Sequence, residues 1–147
     1  MTPYQFWVDV HAQPPEPLAR RRLELGGQWF ETLVVPPGLA GTPLAASFEE
    51  ACAGLNSLEQ LLIEPDGSFV WSSSGSEPHW QVDGVLYDRA AKLIYVELKG
   101  RCPAARFDQL LMIFGWPRTQ LMFQLVREGA FLDEANFRRQ ASSLRFD

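Results

Sequence analysis

Hydrophobic and polar residues alternate in several short segments of this chain, a pattern typical of strands with one buried face. Proline- and glycine-rich turns separate these segments. The pattern predicts strands over residues 4–10, 28–35, 68–74, 80–87, 93–99 and 119–126. Residues 58–64 fit either a helix or a strand. Residues 12–22 form a proline-rich connection that ends in three arginines.

A different spacing predicts helices in three places. Ser47 is a typical N-cap, and the acidic residues that follow it favour the first turn of a helix over residues 47–56. Apolar residues at positions i, i+3, i+4 and i+7 predict a second helix over 104–114. A third helix is expected over 132–141.

This order of elements predicts the fold class. We expect one domain over residues 1–147, of the α+β or α/β class, with a central sheet flanked by helices. The sheet should be mostly antiparallel or mixed. Residues 1–46 would supply N-terminal strands and a loop rich in proline and glycine, ahead of a core over residues 47–141.

Composition is that of an ordinary folded domain, with 46% apolar and 21% charged residues in 147. The first residues lack the basic start and apolar run of a secretory signal, and no segment is apolar for the roughly 18 residues that a spanning helix needs. We therefore expect a cytoplasmic protein that does not enter a membrane. Cys52 and Cys102 are expected to be reduced thiols rather than zinc ligands. The sequence leaves the oligomeric state open.

The net charge of −5 does not favour a protein coated for nucleic-acid binding, but the charge is uneven. Residues 1–98 contain five basic and thirteen acidic residues, whereas residues 99–147 contain eight and five. The last third therefore offers material for a basic patch, although scattered solvated arginines fit the same counts. The arginines concerned are Arg101, Arg106, Arg118, Arg127, Arg138, Arg139 and Arg145.

Three ionisable residues interrupt the apolar pair of strands over 80–87 and 93–99. If residues 88–92 form the connecting loop, Asp83 pairs directly with Glu97, and Lys99 lies on the same face of the sheet. Apolar residues on both faces of these strands suggest that they are central and covered on both sides. Two carboxylates side by side repel each other, and a divalent cation between them would remove that cost. Oxygen ligands suit Mg²⁺ or Mn²⁺.

The Asp83 and Glu97-Leu98-Lys99 arrangement resembles the PD-(D/E)xK nuclease superfamily. The resemblance implies a core ordered α-β-β-β-α-β, with Asp83 and Glu97 holding magnesium or manganese and Lys99 assisting the attacking water. It also implies a further metal ligand from the first helix, for which Glu50 or Glu49 is the candidate. Gln109 would be an additional catalytic residue on the helix after the motif.

Two functions follow from these observations. The first is a magnesium-dependent nuclease, or a nuclease-fold protein, that hydrolyses phosphodiester bonds in DNA or RNA. The second is a non-enzymatic module that binds another protein, such as an inhibitor or immunity-type partner. Five tryptophans and ten phenylalanines could supply anchors for such an interface, and the acidic first two-thirds would suit a basic partner.

Overall fold

The computed structural model describes residues 3–143, and these residues form one continuous nine-stranded sheet with three helices. The strands are β1 (Pro3–Ala12), β2 (Ala19–Leu25), β3 (Gln28–Val34), β4 (Leu61–Ile63), β5 (Ser68–Ser72), β6 (Gln81–Arg89), β7 (Lys92–Pro103), β8 (Leu121–Leu125) and β9 (Phe131–Asp133). The helices are α1 (Phe48–Asn56), α2 (Ala104–Ile113) and α3 (Glu134–Ser143), and a short 3₁₀ helix spans Pro37–Gly41.

All the strand pairs are antiparallel, and the spatial order is β2-β3-β9-β8-β1-β7-β6-β5-β4. Strand β1 lies in the middle, between β7 and β8. The strands from β4 to β7 follow one another as a meander on one side of β1. The first strand of the chain therefore joins two halves of the sheet that are distant in sequence.

The core lies between one face of this sheet and the helices. Tyr4, Phe6, Val8 and Val10 alternate along β1 and are buried. The ring of Phe107 on α2 packs edge-on against Tyr4 and Phe6, at centroid distances of 5.6 and 4.9 Å. Phe137 on α3 stacks on Phe107 and on Phe123 of β8. These aromatic contacts fix α2 and α3 on the same face of the sheet.

Helix α1 lies on that face as well. The side chain of Ile113 on α2 approaches Gly54, and Phe48 lies near Leu86 on the buried face of β6. Ser47 caps α1 in a capping box, in which its hydroxyl accepts from the backbone N–H of Glu50 while the Glu50 carboxylate accepts from the N–H of Ser47. The prediction of Ser47 as the N-cap is therefore confirmed.

The predicted fold class is wrong. The structure is mainly one antiparallel sheet with all three helices on one face, whereas helices were expected to flank a mostly antiparallel or mixed central sheet. Four strands, β4 to β7, separate α1 from α2, where the expected core order α-β-β-β-α-β has three. The prediction that strands 80–87 and 93–99 are covered on both sides also fails. Their second face carries Tyr87 and Tyr95, whose rings stack on each other at 4.4 Å instead of packing under a helix.

The individual elements were predicted better than their assembly. The ambiguous segment 58–64 contains strand β4, and the proline-rich connection over 12–22 continues into strand β2. Strand β2 was not predicted, because its three consecutive arginines interrupt the alternation of apolar and polar residues. It is largely exposed and pairs only with β3, so it does not need a buried face.

Candidate binding site on the uncovered face of the sheet

The side of the central strands that faces away from the helices is called the open face here. Cross-strand pairing arranges its side chains in parallel rows over β1, β7 and β6, because directly paired residues point to the same side of a sheet. The rows are His11–Tyr95–Tyr87, Asp9–Glu97–Val85, Trp7–Lys99–Asp83 and Gln5–Arg101–Gln81. Along the strands, the aromatic row is followed by the acidic row. The last two rows, which contain Lys99 and Arg101, form what we call the cationic end.

The aromatic row forms a continuous stack. The rings of Tyr87 and Tyr95 lie 4.4 Å apart and nearly parallel, and His11 stacks on the other side of Tyr95 at 5.3 Å. His11 is buried beneath the 3₁₀ helix, where its Nδ1 donates to the carbonyl of Ala40 at 3.2 Å. Burial lowers the pKa of His11 against the opposing effect of its hydrogen bonds. His11 therefore closes one end of the open face as a neutral ring.

The acidic row places two carboxylates directly opposite each other. Asp9 on β1 pairs with Glu97 on β7, and both side chains are partly buried. Burial, and then the neighbouring Glu97 carboxylate, raise the pKa of Asp9 to about 6. Glu97 accepts hydrogen bonds from Trp7 Nε1 at 2.8 Å and from the Tyr87 hydroxyl at 3.4 Å. These donors are neutral, so they orient Glu97 without cancelling its charge.

Trp7 organises the cationic end. Its ring lies under the Nζ of Lys99, 4.2 Å from the centroid, while the guanidinium carbon of Arg127 lies 5.9 Å from the same centroid. The indole N–H is used for Glu97. One tryptophan therefore fixes an acid on its polar edge and cations near its ring.

The predicted pairing of Asp83 with Glu97 is displaced by two residues. Asp83 faces Lys99, and Glu97 faces Val85, so Asp83 and Glu97 share the open face only as diagonal neighbours. Two features each shift the register by one residue. The strands β6 and β7 continue to a two-residue turn at Ala90 and Ala91, and a β-bulge lies between Tyr87 and Asp88. Asp83 is exposed and accepts from the side chain of Gln81 at 3.0 Å.

The two remaining predicted site residues lie on the helical side of the sheet. Glu50 on α1 is occupied by the capping box, which lowers its pKa through the hydrogen bonds from Ser47. Glu49, the alternative, is exposed in the same first turn. Gln109 is exposed on α2 and accepts from Arg106 at 3.1 Å. Neither Glu50 nor Gln109 joins Glu97 and Lys99.

The structure does not bring the three predicted magnesium or manganese ligands together in one group. Asp83 and Glu97 share a face without pairing, and Glu50 lies across the sheet from them. Between residues 3 and 143 there is no cluster of three or more histidine, cysteine, aspartate or glutamate side chains with suitable geometry. The carboxylate that does oppose Glu97 is Asp9, which the sequence analysis did not select.

The sequence alone could have predicted that Trp7 and Asp9 share the polar face of their strand. In the segment from Tyr4 to Val10, the apolar even-numbered residues define one buried face, which leaves Trp7 and Asp9 on the other. The missing information was the pairing of this strand with β7, ninety residues later. Local pattern alone does not give such a non-local pairing.

The open face continues into an apolar strip towards the edge of the sheet. Val70 on β5 pairs with Asp83, and Leu62 on β4 pairs with Val70, so both point to the open side. Leu62 is 77% exposed, Val70 41% and Tyr87 38%. Leu62 and Val70 therefore continue the Trp7–Lys99–Asp83 row towards the sheet edge, and Tyr87 lies in the aromatic row next to Glu97.

The arginines of the last third do not form one patch. Arg106 and Arg138 form salt bridges with acidic residues, and Arg139 packs over the ring of Phe30. Arg101 and Arg127 lie at the cationic end of the open face. Arg145 is outside the described residues.

The chain matches no protein family, and neither a curated protein nor a solved structure with significant similarity to it was found. Between residues 3 and 143, the helices are too short and too polar to cross a bilayer.

Proposed function

We propose that this protein is a non-enzymatic module whose open face binds a basic segment of another protein. The observation that carries the proposal is the direct pairing of Asp9 with Glu97 in the middle of an uncovered sheet face. Like charges directly opposite each other destabilise a sheet. A cation from a binding partner would relieve the repulsion between the two carboxylates, so this arrangement favours binding of a basic group.

The charges near this pair leave room for such a cation. Asp9 and Glu97 form none of the salt bridges that occur among residues 3–143. A guanidinium group could donate hydrogen bonds to both carboxylates, since its planar donors match carboxylate geometry. The ring of Tyr87, which stacks on Tyr95 on one side and is 38% exposed, adds an aromatic surface next to Glu97 that favours a cation over a neutral group.

The apolar strip supplies the other part of an interface. Stable complexes need about 800 Å² of buried surface on each partner, which a charge pair alone does not provide. Leu62 and Val70 lie beyond Asp83 in the row next to the acidic row, and Tyr87 adjoins Glu97, so the open face combines apolar and acidic groups. A partner segment with basic and apolar residues complements that combination.

Affinity for a defined probe tests the proposal. We expect a short peptide rich in lysine, arginine and leucine to bind the wild-type protein, and a peptide of the same length with glutamate in place of the basic residues not to bind. The double variant Asp9→Asn/Glu97→Gln should weaken binding at least about tenfold, because charge-assisted hydrogen bonds are lost. Fluorescence anisotropy measures both affinities.

A matched control separates the site from overall charge. Glu16 and Glu59 are exposed and lie away from the acidic row, so Glu16→Gln/Glu59→Gln removes the same two negative charges. The control variant should bind the basic peptide like the wild type, with only a small change from the net charge. Equal loss of affinity in both double variants would show that attraction to the acidic protein as a whole, not the open face, is responsible.

Phosphodiester hydrolysis is a second candidate function, because Lys99 lies one row from Asp9 and Glu97 on the open face. Incubation with single- and double-stranded DNA and RNA in the presence of Mg²⁺ or Mn²⁺ tests it. Cleavage that disappears in both Glu97→Ala and Lys99→Ala would support hydrolysis at this face. Intact substrates under all these conditions would exclude it.

A further inference from the structure

A cavity of about 440 Å³ opens at the cationic end of the open face. It exists because β8 pairs with β1 only from Val8 to Ala12, so the preceding part of β1 borders a notch in the sheet. The cavity is lined by residues of β1, β6, β7 and the turn after β8, and it extends to Gln140 on α3. Its volume falls within the usual range for small-molecule sites.

Cations dominate the charged lining of this cavity. Lys99, Arg101 and Arg127 line it, and Glu128 contributes the only carboxylate that residues 3–143 place in the lining. Lys99 and Arg127 form none of the salt bridges observed among the described residues. They are held near the ring of Trp7, which carries no charge of its own. The cavity therefore attracts an anion.

Two glutamine side chains of the cavity lining carry buried hydrogen-bond acceptors. Gln140 is only 8% exposed, and its Oε1 has no hydrogen-bond partner within the described part of the chain. The Oε1 of Gln5, which also lines the cavity, is likewise buried and unpartnered. A buried acceptor without a donor is costly, and a fully deprotonated phosphate group carries no hydrogen to donate. A ligand that completes these bonds must carry hydroxyl or amino groups.

We infer that the cavity binds a phosphate monoester that also carries hydrogen-bond donors, such as a sugar phosphate or a nucleoside monophosphate. The phosphate would contact Lys99 and Arg127 at the mouth, where ammonium and guanidinium groups suit its oxygens. The hydroxyl or amino groups of the same molecule would donate to Gln5 and Gln140. This site adjoins the acidic row and shares Trp7 with it, but its lining does not include Asp9 or Glu97.

Calorimetric titration with four probes tests the inference. The probes are ribose 5-phosphate, adenosine monophosphate, inorganic phosphate and adenosine. We expect the two esters to bind at least about tenfold more tightly than inorganic phosphate or adenosine, because each of the latter uses only one part of the site. Similar affinities for the two esters would assign the site to sugar phosphates, and tighter binding of adenosine monophosphate would assign it to nucleotides.

Variants locate the binding. Arg127→Gln should weaken the binding of both esters at least about tenfold. Gln140→Leu should reduce the ratio of ester affinity to inorganic phosphate affinity. Lys92 is exposed in the turn region of β7, away from the cavity, so Lys92→Gln is the control and should bind like the wild type. Absence of ester binding, equal binding of inorganic phosphate, or ester binding unchanged in Arg127→Gln would overturn the inference. Thermal unfolding of each variant verifies that it is folded.

Discussion

At the residue scale, Asp9 determines the electrostatic character of the site. An ordinary aspartate has a pKa of 3.8, whereas burial and then Glu97 raise the pKa of Asp9 to about 6. The native state therefore holds this proton over a pH range in which the unfolded chain has released it. Asp9 consequently favours folding at low pH, and this contribution is lost as the pH rises from about 4 to about 6.

The substitution Asp9→Asn should stabilise the protein at neutral pH. We expect the free energy of unfolding to rise by about 1 kcal/mol at pH 7.5, because a pKa shift of one unit corresponds to about 1.4 kcal/mol and the partial exposure of Asp9 reduces its effect. The gain should be absent below about pH 4, where aspartate is protonated in both states. Urea unfolding at a series of pH values measures it.

Asp88→Asn provides the comparison for this experiment, since Asp88 is an exposed carboxylate at the end of β6. Its free energy of unfolding should match that of the wild type within a few tenths of a kcal/mol. A gain in Asp9→Asn that is the same at pH 4 and at pH 7.5 would mean that the charge of Asp9 is not its cause.

Binding of the basic peptide should depend on whether Asp9 is protonated. Below about pH 6, Asp9 of the free protein is protonated and no longer attracts a cation. The basic peptide should therefore bind more weakly at pH 5 than at pH 7.5, by about tenfold if one charge-assisted contact is lost. The Asp9→Asn variant should lose most of this pH dependence. Wild-type affinity that does not fall with the pH would argue against a cation site at Asp9.

At the scale of elements, the turn between β6 and β7 and the β-bulge between Tyr87 and Asp88 together set the register of the open face. Ala90 and Ala91 have φ values of +51° and +67°, a pair typical of a type I′ hairpin turn, in which asparagine and glycine are favoured. Alanine in this region is strained. The absence of Asn-Gly explains why the sequence suggested a five-residue loop, and hence why Asp83 was paired with Glu97.

Replacing Ala90-Ala91 by Asn-Gly should therefore stabilise the hairpin. We expect an increase of about 1 kcal/mol in the free energy of unfolding, or roughly 3 °C in the melting temperature. Calorimetry measures the change. The reverse result, a lower melting temperature in the Asn-Gly variant, would show that the turn does not have this geometry.

Gly84 on β6 controls how closely β5 and β6 approach. Phe69 pairs with Gly84, and its ring covers the glycine so closely that an added Cβ would overlap it. Gly84→Ala should lower the free energy of unfolding by about 2 kcal/mol or more, because the ring must leave its buried position. Gly75→Ala, where nothing lies within 4 Å of the added atom, should change it little. Similar stabilities of the two variants would refute this packing.

At the scale of the whole molecule, local signals predicted most elements but not their assembly. The N-cap at Ser47, the apolar spacing of α2 and the alternation of β1 are encoded by neighbouring residues. The central position of β1 depends on pairing with strands near residues 100 and 123, and no local pattern specifies it. For the same reason, Glu97 and Lys99 were correctly placed on one face, whereas Asp9 was missed as the partner of Glu97.

The central claim is that the open face binds a basic segment at Asp9 and Glu97. Backbone amide NMR during titration with the lysine- and arginine-rich peptide tests it most directly. We predict the largest chemical-shift changes at Asp9, Val85, Tyr87 and Glu97, and small changes along α2 and α3 on the opposite side of the sheet. Changes centred on the helices, or no saturable change at any residue, would contradict the claim.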